Sequence, residues 1–148
     1  MSQSSESMVD VEALLDAARH QVDNSRAPYS RFHVGAALWS DSQIFGGCNV
    51  ENASYGLTLC AERGAVMNWA AAGAPGTPGA IAIAARGADS GEWSLAMPCG
   101  ACRQVLSELP GSSELTVWIW DGTSSRSMSL LELLPHAFNA ADLRSDEE

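Results

Sequence analysis

Three cysteines and a glutamate sit at spacings suited to metal chemistry. Cys60-Ala61-Glu62 and Pro98-Cys99-Gly100-Ala101-Cys102 together offer three thiolates to one ion, with a carboxylate that need not be a ligand. Zinc held by three protein side chains keeps a fourth tetrahedral position open, the arrangement of a catalytic rather than a structural site. One Zn2+ per subunit is therefore expected on Cys60, Cys99 and Cys102. Both motifs are expected in the first turn of a helix, where unpaired backbone N–H groups and the helix dipole favour thiolate over thiol. Glu62 lies two residues from Cys60 and hence off that residue's helical face, so it is expected to lean over the open position and carry protons. Three thiolates leave a dication with excess negative charge. Arg63 and Arg103 are candidates to offset it by donating to the sulfurs.

Other readings of these residues compete. A redox C-x-x-C would need neither Cys60 nor Glu62. A closed four-cysteine structural zinc would recruit Cys48, which has no C-x-x-C partner and reads as a small core residue. Most glutamates on helices are simply solvated, and the arginines could be as well. His20, His33 and His136 read as structural residues, not ligands. A second polar pair, Asn49-x-Glu51, lies on an extended segment where residues two apart share a face. An amide and a carboxylate side by side can grip a hydroxyl by donating and accepting together; the bland alternative is a pair of turn residues.

The elements that must position these groups follow from periodicity. Val11, Leu14, Leu15, Ala18 and Val22 recur at helical spacing, with Ser7-x-x-Asp10 as an approximate capping box, giving a helix over about 8–24. Residues 32–39 and 44–50 read as a hairpin of two strands, with Gly46-Gly47 marking a bulge or a close backbone approach. Residues 57–72 read as a helix capped by Thr58 and stopped by Gly73. Gly64 within it implies close packing. A short buried strand at 80–85 is followed by a polar connection over 87–93. A helix then opens at Pro98 and runs to about Leu109. Strands at 115–120 and 125–129 and a brief helix at 130–134 complete the chain. The fold class is α/β, a three-layer α/β/α sandwich around a mixed sheet of about five strands. A single domain over 1–148 is expected, with residues 1–7 and 142–148 as mobile tails.

Composition limits the partners. The 148 residues carry a formal net charge of −10, and the eight basic residues are all arginines scattered along the chain. Neutralising a phosphate backbone takes clustered basic residues, so a nucleic acid polymer is not expected. No apolar run approaches the roughly 20 residues of a membrane helix, so no membrane partner is expected either. No secretory signal is visible and the C-x-x-C suits a reducing compartment, which together favour a cytoplasmic location.

Several further segments extend the pattern. Ala27-Pro28-Tyr29-Ser30-x-Phe32-x-Val34-Gly35-Ala36-Ala37, the run from Gly47 to Gly56, Cys60-Ala61-Glu62-Arg63 and Pro98-Cys99-Gly100-Ala101-Cys102-Arg103-Gln104 resemble the small cytidine deaminases. Leu133-Leu134-Pro135 with Phe138 resembles that family's C-terminal segment. The resemblance spans about residues 11–138. It implies hydrolysis of cytidine and deoxycytidine to uridine and deoxyuridine with release of ammonia, a pyrimidine salvage step in which zinc activates water and Glu62 moves protons. It further implies that Asn49 and Glu51 hold the 3′-hydroxyl, that Tyr55 lies near the 5′-hydroxyl, that Phe32 packs on the pyrimidine and that the Ala61 backbone contacts the base. Phe138 would enter a neighbouring subunit's site, so a homotetramer with shared active sites is implied. Two alternatives stay open: a deaminase of a modified nucleoside such as blasticidin S, and a non-catalytic zinc module or polynucleotide deaminase.

Overall fold

The structure, a computed structural model, describes residues 8–87 and 89–144. Asp10 starts the first helix, α1 (Val11–Val22), by accepting the Ala13 N–H on its side chain at 3.0 Å. Such a cap contributes about 1 kcal/mol. The helix is thus shorter than the expected 8–24. Asp10 is itself the cap, and Ser7 lies outside the described residues. Strands β1 (His33–Ser40) and β2 (Gln43–Cys48) form the expected hairpin.

Helix α2 (Ala61–Ala71) begins three residues after Thr58, with Cys60 at its N-cap position. Residues 55–57 form a separate 3-10 turn, so Thr58 does not cap the helix. Strand β3 (Pro78–Arg86) is the longest. A two-residue strand, β4 (Trp93–Ser94), pairs with its far end, starting on the last residue of the stretch expected to be a polar connection. Arg86 stacks on Trp93 with its guanidinium carbon 4.7 Å from the ring centre.

Helix α3 (Gly100–Ser107) follows Pro98 by two residues, with Cys99 at its N-cap position, so Pro98 precedes the helix and does not open it. Strands β5 (Thr116–Trp120) and β6 (Ser125–Ser129) and the short helix α4 (Leu130–Leu133) finish the core. Of the expected C-terminal tail, Asp142 and Leu143 belong to a 3-10 turn over Ala140–Leu143 capped by Asn139. Residues 1–7 and 145–148, the remainder of the expected tails apart from Arg144, lie outside the described residues.

Among the described residues the sheet has six strands, one more than expected, in the order β2-β1-β3-β5-β6 with β4 on the end of β3. Only β3 and β5 run parallel, so the sheet is mixed. Alternation along the strands gives each face its own core. Ala37, Ala80, Ala82 and Ala84 pack under α1 with Leu14, Leu15 and Ala18. Ala36, Leu38, Ile81, Ile83, Val117 and Ile119 pack against Ala61, Ala65, Trp69 and Leu106 on the other face.

The small residues under α1 and α2 let backbones approach closely. A Cβ on Gly35 would overlap the backbone of Ala18 and Val22, and one on Gly47 the backbone of Ala61 and Ala65. The Gly46-Gly47 pair is therefore a close approach, not a bulge: β1 and β2 pair without interruption through it. It seats the N-terminus of α2 against the sheet. No helix among the described residues is long and apolar enough to cross a membrane.

Candidate active site

Two helix N-termini converge on one cluster of sulfur. Cys60 and Cys99, each immediately before its helix, and Cys102, in the first turn of α3, have Sγ atoms all within 4.8 Å of one another. Neither N-cap sulfur accepts a bond from its own helix, which leaves both turned to the cluster. The Cys60 and Cys99 sulfurs are 3.8 Å apart. Tetrahedral zinc with metal–sulfur distances of about 2.3 Å separates its sulfurs by about 3.8 Å. The donor set therefore fits zinc. Cys48 lies outside the cluster; its thiol faces the Asn24 carbonyl at 3.5 Å, which removes the four-cysteine arrangement.

Electrostatics at the cluster favour a thiolate. A hydrogen bond from Cys102, with help from Arg63, lowers the Cys60 thiol to about 5. Cys102, fully buried and donating toward Cys60, is held above the usual thiol range. Arg63 donates through Nη2 to the Thr58 carbonyl at 2.8 Å and to the Cys60 sulfur at 3.8 Å. Its Nε is buried with no partner among the described residues. Arg103 differs from expectation. It donates to the Pro98 carbonyl and the Leu133 carbonyl, both at 2.7 Å, and so ties the start of α3 to the C-terminal segment; none of its described hydrogen bonds goes to a sulfur.

A cavity of about 260 Å³ opens beside the sulfurs. Cys60, Cys99 and Glu62 line it together with Asn49, Glu51 and Phe32. Glu62 is only 5% exposed, and burial raises its carboxyl above the ordinary glutamate value, with the Cys60 charge adding to the effect. Asn49 and Glu51 sit on a segment bridged to residue 26 on one side and residue 59 on the other. The Glu51 carboxylate accepts the Ser30 N–H at 3.1 Å and the Tyr29 N–H at 3.3 Å. Ala61 also lines the cavity, at the first position of α2.

Tyr55, expected near the substrate, and Phe138, expected in a neighbouring subunit's site, both lie outside this cavity. Tyr55 is 72% exposed and meets Tyr29 edge to face, and Phe138 is 57% exposed. Sequence reasoning missed Ile83, Ala96 and Met97, which add apolar wall. Ile83 was legible only as a core strand residue. Met97, adjacent to Pro98, carried no chemical signal.

A three-layer sandwich that joins a three-sulfur zinc site to a buried carboxylate and a small cavity defines a zinc hydrolase. Comparison with known proteins narrows that class. Residues 8–117 match the family model described as the cytidine and deoxycytidylate deaminase zinc-binding region. A cytidine deaminase of Mycobacterium tuberculosis is 43% identical over 136 residues, 91% of this chain and 94% of that protein. One from Halalkalibacterium halodurans is 41% identical over 137 residues, 91% and 98% of the two chains. The crystal structure of cytidine deaminase from Burkholderia pseudomallei superimposes with a TM-score of 0.74 at 44% identity, covering 88% of this chain and all of that one (100%). The chain belongs to the cytidine and deoxycytidylate deaminase family of zinc enzymes.

Proposed function

We infer that this chain converts cytidine and deoxycytidine to uridine and deoxyuridine, releasing ammonia. One observation carries the reading: a single cavity is lined both by Glu62 with Cys60 and Cys99 and by Asn49 with Glu51. The first set suits hydrolysis at an aromatic carbon, and the second suits a sugar hydroxyl. No arginine lines the cavity among the described residues, and Glu51 adds a negative charge. A free nucleoside fits that balance better than a nucleotide or a polymer, whose phosphates seek basic groups.

Cys60, Cys99 and Cys102 are the residues that would hold zinc. When bound, zinc lowers the pKa of a coordinated water toward about 7. Glu62 takes one proton from the attacking water and passes it to ring N3 as oxygen bonds to C4. It then carries the remaining hydroxyl proton to the exocyclic nitrogen, so the C4–N bond breaks with ammonia as the leaving group. Burial suits Glu62 to both directions, because raising a carboxyl above its ordinary value makes it a better proton acceptor while it can still return the proton. Phe32 packs on the pyrimidine, the Ala61 backbone meets the base, and Asn49 and Glu51 hold the 3′-hydroxyl. Arg63 offsets the charge of the thiolate cluster.

Tyr55 near the 5′-hydroxyl and Phe138 are read as acting within a homotetramer whose subunits share sites, the arrangement that would use side chains exposed on a lone chain. Thiolate ligands suit a reducing compartment, which favours the cytoplasm and a role in pyrimidine salvage. The test is loss of ultraviolet absorbance of cytidine and deoxycytidine, with and without a zinc chelator. Chelator-sensitive loss of both is expected. Turnover of blasticidin S in preference to cytidine would replace the substrate assignment.

A further inference from the structure

Asn49 is nearly buried, at 9% exposed, and its partners fix the polarity of its amide. The Val34 N–H can only donate, and it lies 2.9 Å from Oδ1. The Phe32 carbonyl can only accept, and it lies 2.8 Å from Nδ2. Those two backbone groups assign the oxygen and the nitrogen of the amide without ambiguity. Ser25 Oγ stands 2.6 Å from the same Oδ1, so its single proton points there. His33 Nδ1 stands 2.9 Å from Ser25 Oγ. The hydroxyl has no proton left to give, so Nδ1 must carry one and donate it. The result is a one-way chain, His33 to Ser25 to Asn49.

The chain determines what Asn49 offers a ligand. Oδ1 has both lone pairs engaged, by Ser25 and Val34. Nδ2 has one N–H engaged, by Phe32; the other has no partner among the described residues, and Asn49 lines the cavity. Asn49 therefore presents a donor, beside a Glu51 carboxylate that can only accept. A hydroxyl satisfies both at once, accepting from Asn49 and donating to Glu51. Without Ser25, Oδ1 keeps a buried lone pair unpaired and the amide loses one of three tethers. Ser25 and His33 line a separate surface pocket with Asp23 and Arg86, not the substrate cavity.

We propose that Ser25 and His33 are positioning residues for sugar recognition, holding the Asn49 amide so that it meets a ribose hydroxyl as a donor. The proposal rests on the reading that Asn49 and Glu51 hold the 3′-hydroxyl, so its test compares cytidine with 3′-deoxycytidine. Wild-type enzyme is expected to prefer cytidine, and Asn49→Ala to lose that preference. Ser25→Ala should lower kcat/KM for cytidine about tenfold, the worth of one buried hydrogen bond, through KM and not kcat. Its effect on 3′-deoxycytidine should be small, and Ser25→Thr, which keeps the hydroxyl, should restore the preference. His33→Phe should fall between wild type and Ser25→Ala, since the hydroxyl then loses its orienting donor. An Asn49→Ala enzyme that still prefers cytidine would sink the reading of the sugar site itself. Loss of preference in Asn49→Ala but not in Ser25→Ala would overturn the relay alone. So would a Ser25→Ala enzyme that loses both substrates equally, because that is the mark of general destabilisation.

Discussion

At the scale of single residues, the site depends on a carboxylate kept from water beside a cluster of thiols. Glu62 is 5% exposed and lines the cavity beside Cys60. Replacing it with glutamine keeps the shape and the hydrogen-bonding reach but removes the capacity to take a proton. Glu62→Gln is expected to retain zinc and its melting temperature while kcat falls about 10²- to 10⁴-fold, the usual worth of general acid–base catalysis. Near wild-type turnover of cytidine by that variant would rule Glu62 out as proton carrier. Cys60→Ala makes a different demand. Two sulfurs remain, and Arg63 loses the thiolate it faces. The variant is expected to lose zinc together with activity, measured as metal content of the purified protein. Full zinc occupancy would remove Cys60 from the ligand set.

At the scale of elements, the site exists because α2 and α3 deliver their N-termini to the same place. Gly47 is the contact that seats α2. Gly47→Ala would force the helix from the sheet at the cost of overpacking, about 1–3 kcal/mol. A lower melting temperature and faster zinc loss to a chelator are expected together; an unchanged melting temperature would show that the contact yields freely. The β5–β6 hairpin gives a pH-dependent case. Asp121 accepts the Ser124 N–H at 2.8 Å and the Thr123 N–H at 2.9 Å, which holds its carboxyl below the ordinary aspartate value. A depressed folded-state pKa contributes stability above the unfolded value of about 3.9, and that contribution disappears as pH falls through the folded value. Urea titrations should therefore separate wild type from Asp121→Asn at neutral pH, with the gap closing in acid. A gap independent of pH would refute the assignment. These cases also mark what the sequence made legible. Period and turn residues revealed the helices and the long strands, and cysteine spacing revealed the sulfur cluster. Helix starts were misread because several capping residues compete locally, and tertiary packing chose Cys60 over Thr58. Strand β4 was invisible because two residues carry no period; Trp93 is held there by Arg86 and by the edge of β3. Arg103 was misassigned because adjacency to Cys102 says nothing about which way a long side chain turns. Ser25 and His33 gave no signal, since their roles depend on an amide 24 and 16 positions away.

At the scale of the whole molecule, the placement of Phe138 bears on assembly. Its side chain is 57% exposed, yet its carbonyl is held by Gln104 Nε2 at 2.8 Å, so the segment is anchored while the ring faces outward. Val50, Tyr55, Leu57 and Met67 are exposed as well. Exposed large apolar residues of this kind suit burial against another copy. If Phe138 completes a neighbour's site in a homotetramer, two impaired enzymes should rescue each other. Phe138→Ala subunits retain Glu62 but lack the ring, whereas Glu62→Gln subunits retain the ring but lack the proton carrier. Dissociating the two and reassembling them together creates sites in which an intact Glu62 meets an intact Phe138 from another chain. Activity in the mixed assembly should exceed the sum of the separate enzymes, with the cytidine KM of those sites returning toward wild type. Sedimentation should show one assembled species before and after mixing. Mixed assemblies no more active than the sum, at an unchanged sedimentation coefficient, would confine Phe138 to its own subunit and end the shared-site reading.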